Sequence, residues 1–165
     1  MLEILDVVKV GIADLNVVKA PERIRTSGLG SCVGLILYDQ LRQIAGLAHI
    51  MLPDSTLGKI GSINDAKYAD TAVKKLIKDV VTIGAKEYSL KAKIAGGAQM
   101  FQFQTSNDLM RIGPRNVEAI KEQLKLFHIP LVSEDVGGSS GRTIEFDPST
   151  CDLVIKTVNQ GTKTI

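Results

Sequence analysis

Two continuous apolar runs constrain this chain most. They are Cys32–Tyr38 (CVGLILY) and residues 44–52 (IAGLAHIML), and a short polar stretch, Asp39–Gln43, separates them. Each run has the length of one strand, and Pro53 closes the second. A half-wet strand alternates apolar and polar residues, whereas a run apolar throughout reads as a buried strand. Two such runs with a polar link read as a hairpin. Tryptophan is absent and aromatics are 4% of the chain, so Val, Ile, Leu and Ala must fill the space around that hairpin.

The remaining pattern adds strands and two helices. Residues 3–12 are rich in β-branched residues and read as a strand. Asp14 to Arg23 is polar, contains Pro21 and reads as a connection. Residues 24–31 lead into the first apolar run, and 54–64, rich in Gly, Ser and Asp, read as a surface loop. From Asn64 to Val81 one face stays apolar at helical spacing through Ala69, Ala72, Val73, Leu76, Ile77 and Val80. Asn64 is placed to cap that helix and Gly84 to end it. Residues 90–95 alternate and run into Gly96-Gly97. A second helix is expected from Pro114 to near Phe127. Residues 130–136, 142–147 and 152–158 read as three more strands, the first two joined by GGSSG at 137–141, and 159–165 as a frayed tail. Strands outnumber helices and come as hairpins. This predicts an α+β fold, a mixed or antiparallel sheet covered by two helices, in one domain over residues 1–165.

Charge excludes some functions. Net charge is +2, and no dense Lys/Arg block with interleaved aromatics marks a nucleic-acid surface. Lys74-Lys75 reads as a solvated helix face. No apolar run reaches the length of a bilayer span, and acids precede any basic N-terminal region, so a soluble cytoplasmic protein is expected. The two cysteines, Cys32 and Cys151, are expected to stay reduced, and the two histidines do not stand at metal-ligand spacing around them.

The sharpest chemical feature is Gly28-Leu29-Gly30-Ser31-Cys32 at the mouth of the first apolar strand. Glycines permit a tight turn with exposed amides, which would suit a nucleophile beside an oxyanion site. Buried packing is the other reading of such a cysteine. His49 lies near the end of the second apolar run, so a hairpin brings it beside Cys32, and a thiol with an imidazole partner makes a working nucleophile. A core histidine bonded to backbone remains the alternative. His128, at a helix end, reads as a C-terminal cap. The group that orients an imidazole is not fixed by position: Thr26 and Ser27 both supply hydroxyls, and both suit an ordinary turn.

Several motifs together resemble one family. TSGLGSC at 26–32, then VGLILYD, GLAHIMLP, KIAGGAQMF at 93–101, IGPRNVEAI at 112–120 and IPLVSEDVGGSSGRTIEFDPST at 129–150 are similar, in order, to CheD, the chemoreceptor glutamine deamidase family. The resemblance implies an α/β/β layered fold similar to the deamidase domain of cytotoxic necrotizing factor toxins. It implies conversion of glutamine side chains of methyl-accepting chemoreceptors to glutamate through a thioester. It also implies Cys32 as nucleophile, His49 as base, Thr26 as third member, and no metal or cofactor. The implied partners are chemoreceptor helices and a CheC-type phosphatase, with no nucleic acid and no membrane insertion. One departure is Cys151-Asp152, where the family's Thr-Gly turn is expected. A catalytically idle adaptor for receptors or CheC, and a cysteine protease or amidase, are the competing readings.

Overall fold

The computed structural model describes residues 6–58, 64–100 and 111–165. The expected hairpin is its centre. Strand β4 (Val33–Asp39) pairs antiparallel with β5 (Ile44–Ile50), with Val33 opposite Ile50 and Gly34 opposite His49. Every residue of both strands is buried. The reason is that each is covered twice. Val33, Leu35, Leu37, Ala48 and Ile50 face a helical layer, while Ile36, Tyr38, Ala45 and Leu47 face a second sheet.

Strands β1 (Val7–Val10), β2 (Leu15–Lys19), β3 (Arg23–Leu29), β6 (Leu90–Gly96), β7 (Leu131–Val136), β8 (Arg142–Asp147), β9 (Asp152–Thr157) and β10 (Gly161–Thr164) complete two five-stranded sheets. The inner sheet runs β2-β5-β4-β6-β7 and the outer sheet β1-β3-β8-β9-β10. Both are mixed: β6–β7 and β1–β3 are parallel, the other pairs antiparallel. Helices α1 (Ala69–Thr82) and α2 (Ile112–Leu126) pack on the free face of the inner sheet. The α+β expectation therefore holds, as three layers in the order helix, sheet, sheet. Strands β8 and β9 show what a one-sided strand looks like here, since their residues alternate buried and less buried and their outward face meets solvent.

Four expectations are corrected. Residues 14–23 are not a plain connection, because β2 lies within them. It is an edge strand whose alternate residues point outward, so its apolar signal is weak. Residues 24–31 do not merely lead into β4: most of them form β3, in the other sheet, so the chain changes sheets between Leu29 and Val33. The first helix starts at Ala69, not Asn64. The Asn64 side chain accepts from the Ala66 amide and donates to the Ala13 carbonyl, while the Lys67 carbonyl accepts from the Met51 and Leu52 amides and the Ala69 amide donates to the Leu52 carbonyl, bridging Tyr68 to Leu52. Winding is postponed until those bonds end. Finally, the expected frayed tail contains β10, paired to β9, with Ile165 and Leu153 exchanging two backbone hydrogen bonds. Helix α2 ends as expected but begins two residues before Pro114.

Candidate active site

Thr26 and His49 meet at one end of the space between the sheets, and Cys32 packs against the core of that same space. Alternation along β3 turns Thr26 inward, 2% exposed, and leaves Ser27 outward and exposed, which separates the two hydroxyl candidates. His49 is fully buried on β5. It occupies the same strand face as Ala45 and Leu47, toward the outer sheet. Cys32 directly precedes β4, is partly buried, and packs against the core between the sheets. Gly34 is the register partner of His49, and Cys32 lies two residues before Gly34, which makes it a diagonal neighbour on the same face. The hairpin expectation set Cys32 and His49 at neighbouring positions for this reason.

The hydrogen bonds settle the imidazole tautomer. Thr26 Oγ1 lies 2.7 Å from the carbonyl oxygen of Val10 and 2.8 Å from His49 Nδ1. A hydroxyl has one proton, and a carbonyl only accepts. Thr26 must therefore donate to Val10 and accept from His49, so Nδ1 carries the ring proton. Nε2 is left as a bare lone pair. It is buried and has no hydrogen-bond partner among the described residues, the sulfur of Cys32 included. An unsatisfied buried nitrogen is uncommon in folded proteins and is one mark of a reactive group.

Burial acts on both Cys32 and His49. Burial pushes the Cys32 thiol above its ordinary value of 9.0, and the residue's own backbone amide offsets only part of that. Burial likewise pushes the His49 imidazole below 6.5. Each shift disfavours the charged form, so burial favours the neutral thiol and the unprotonated imidazole.

The loop that carries Cys32 is tied at each of its carbonyls. Gly30 accepts from the Ala98 amide at 2.8 Å, Cys32 accepts from the Gly97 amide at 2.8 Å, and Ser31 accepts from Asn116 Nδ2 at 3.0 Å. Gly96 is held in turn by Arg142, which also binds Asp135 and the Gly137 carbonyl. The loops at 96–100 and 137–141 thus brace the cysteine loop, and Met100 lies against Gly30. Phe101 falls outside the described residues. His128 plays no part here: exposed, with φ +57, it closes α2 through its backbone, as a cap residue does. Cys151 takes a left-handed position (φ +62) in the β8–β9 turn.

Sequence reasoning missed Asn116 and the Val10 carbonyl. The second is backbone and leaves no trace in residue types. The first did leave one, since Asn116 stands on the apolar face of α2 with Val117, Ile120 and Leu124. Among the described residues no three His, Cys, Asp or Glu side chains gather as a metal site. No described helix is long and apolar enough to cross a membrane.

Comparison with known proteins agrees with the sequence motifs. Residues 51–157 match the family model described as CheD chemotactic sensory transduction. Thr26, Cys32 and His49 precede that stretch, but full-length relatives span them. The chain is 64% identical to the chemoreceptor glutamine deamidase CheD of Bacillus subtilis (strain 168), over 96% of each chain. It is 64% identical to the protein of that name from Halalkalibacterium halodurans, over 97% of this chain and 99% of the relative. It is 54% identical to the probable chemoreceptor glutamine deamidase CheD of Clostridium botulinum, over 96% and 97%.

Proposed function

The chain belongs to the CheD family, and from that premise we propose that it hydrolyses glutamine side-chain amides of chemoreceptors with Cys32, His49 and Thr26. The observation that carries the residue roles is the Thr26 hydroxyl. Its only proton goes to Val10, which obliges His49 to present a bare Nε2 on the face it shares with Cys32. The relatives' names carry the substrate.

The steps follow from thiol chemistry. As the amide enters, His49 Nε2 takes the proton of Cys32, and the sulfur attacks the amide carbon. The oxyanion falls to the amides of Ser31 and Cys32, because the Gly30 amide is already bonded to the Gly28 carbonyl. Nε2–H then protonates the leaving nitrogen, which departs as ammonia and leaves a thioester. Water gives a proton to Nε2 and its oxygen to the carbonyl carbon, and the thiolate leaves and recovers that proton. Throughout, Thr26 holds Nδ1–H, so the ring neither turns nor changes tautomer, the task of the third member of a triad. The product adds a negative charge to a receptor helix. A substrate on the cytoplasmic helices of receptors locates the enzyme in the cytoplasm. Binding to a CheC-type phosphatase, implied by the family motifs, is part of the same proposal.

The test is mass spectrometry of a chemoreceptor cytoplasmic fragment incubated with the parent protein or with Cys32→Ala or His49→Ala. Conversion of an amide NH2 to OH adds about 1 Da per site. The gain is expected at particular glutamines with the parent alone. Equal gain with Cys32→Ala would refute the nucleophile; fragments would indicate a protease; binding without any mass change would indicate an adaptor.

A further inference from the structure

Asn116 is a polar side chain on the apolar face of α2, with no exposed surface. One of its atoms lies 3.0 Å from the Ser31 carbonyl oxygen and 2.8 Å from the Met51 carbonyl oxygen. Two carbonyls can only accept, so that atom is the amino nitrogen, and each of its two protons is committed. The amide oxygen is left buried and without a partner among the described residues. Leaving a buried acceptor unpaired is costly, and a leucine of similar volume would avoid it. The cost is borne at one spot: the peptide directly before Cys32 and the strand end two residues beyond His49.

We infer that Asn116 is a positioning residue that sets the separation of the Cys32 thiol and the His49 imidazole, by clamping the Ser31 and Met51 carbonyls to one nitrogen. The inference rests on the reading of Cys32 and His49 as the reacting pair. The β4–β5 ladder alone does not fix that separation, because Cys32 precedes the first paired residue, Val33. Asn116 spans from the cysteine loop to Met51, the residue after the histidine strand. It touches neither reacting atom, so it acts on geometry rather than on protons.

The test uses two readouts on the full chain. The first is receptor-fragment deamidation, with kcat and KM resolved. The second is alkylation by iodoacetamide, followed at Cys32 and Cys151 separately by peptide mass spectrometry. Cys151, in the β8–β9 turn, reports global opening. Asn116→Leu is expected to lower kcat by on the order of 10²-fold with little change in KM, the scale of loss for a displaced reacting group. It is also expected to raise Cys32 alkylation, as the freed loop becomes wetter, while Cys151 is unchanged. Asn116→Asp gives a second line of evidence should the leucine variant fold poorly. An ionised carboxyl repels both carbonyls, whereas a protonated one donates again. Its alkylation ratio and kcat, each relative to the parent, should therefore move back toward parent values as pH falls. Equal acceleration of both thiols, or parent-like kcat and Cys32 reactivity, would overturn the clamp. A parent protein that does not deamidate the receptor would refute the reaction instead, and the thiol ratio would still decide the role of Asn116.

Discussion

At the scale of single residues the chemistry depends on where two protons sit. The His49 imidazole is pushed below 6.5 and the Cys32 thiol above 9.0, both by burial. Because the imidazole must be unprotonated to accept the thiol proton, activity should fall only once pH drops below 6.5 and through the lowered His49 value. The thiolate, in contrast, accumulates only as pH rises past 9.0, so Cys32 alkylation should climb steeply in that range. A stable thiolate–imidazolium pair would give a reactive plateau near pH 5–7 instead, and a titration of alkylation against pH separates the two. Thr26→Val tests the tautomer argument. Losing the hydroxyl leaves the Val10 carbonyl and the His49 Nδ1–H unpaired, at about 1–3 kcal/mol of stability. The ring is also free to change tautomer, and kcat should drop by about 10²-fold. Thr26→Ser should restore most of both, and a valine variant with parent kcat would remove Thr26 from the mechanism. That Cys32 and His49 share one face of the hairpin was legible in the sequence, because hairpin geometry is local. Choosing Thr26 over Ser27 needed the family motif, since the phase of β3 shows only once β3 is recognised as a strand.

Elements matter here through close approach. The inner and outer sheets pack so tightly at Gly34 that a Cβ there would lie 2.5 Å from Ile144 Cδ1. At Gly96 a Cβ would collide with the Cys32 carbonyl, and the residue holds φ +117, which side chains of L-residues rarely adopt. Gly96→Ala is therefore expected to cost about 3 kcal/mol from backbone strain and collision together. For a chain of this size that is roughly a 10 °C fall in melting temperature. The displaced group is the Cys32 peptide itself, so deamidation should fall further than the loss of folded protein explains. Gly11→Ala, with no atom within 4 Å of its added Cβ, is the matched control and should change neither. A Gly96→Ala variant melting within a degree or two of the parent would show that the loop yields. The central strands were legible because burial on both faces makes an unbroken apolar run. Strand β2 was not, because an edge strand alternates and its Pro21 neighbour imitates a loop.

For the whole molecule the closing step of the chain bears on the layer interface. Lys93 is buried on β6 and faces the outer sheet, its ammonium over the Tyr38 ring and donating to the carbonyls of Cys151 and Ile165. Its pKa is pushed below the ordinary 10.5, with burial the leading cause. The last strand thus supplies one of two acceptors for a buried cation, and Ile165 adds apolar cover to the core between the sheets. Nothing in GTKT announces this, since all four residues of β10 are exposed and the pairing comes from backbone groups. Deleting residues 159–165 should consequently cost about 2 kcal/mol: part of one isoleucine's burial, near 1 kcal/mol, and one lost hydrogen bond to a charged group. At about 2–4 °C per kcal/mol that lowers the melting temperature by roughly 4–8 °C. Lys93→Met in the full chain removes the cation that needs the acceptor, so the same deletion made in that background should cost less than in the parent. A deletion that leaves melting unchanged would mean that the tail contributes nothing. Equal costs in the two backgrounds would assign the loss to Ile165 packing and the β9–β10 ladder rather than to Lys93. In either folded variant the Cys32–His49 end of the layer interface keeps its own braces, Arg142 and Asn116, and receptor deamidation per folded molecule should stay at the parent level.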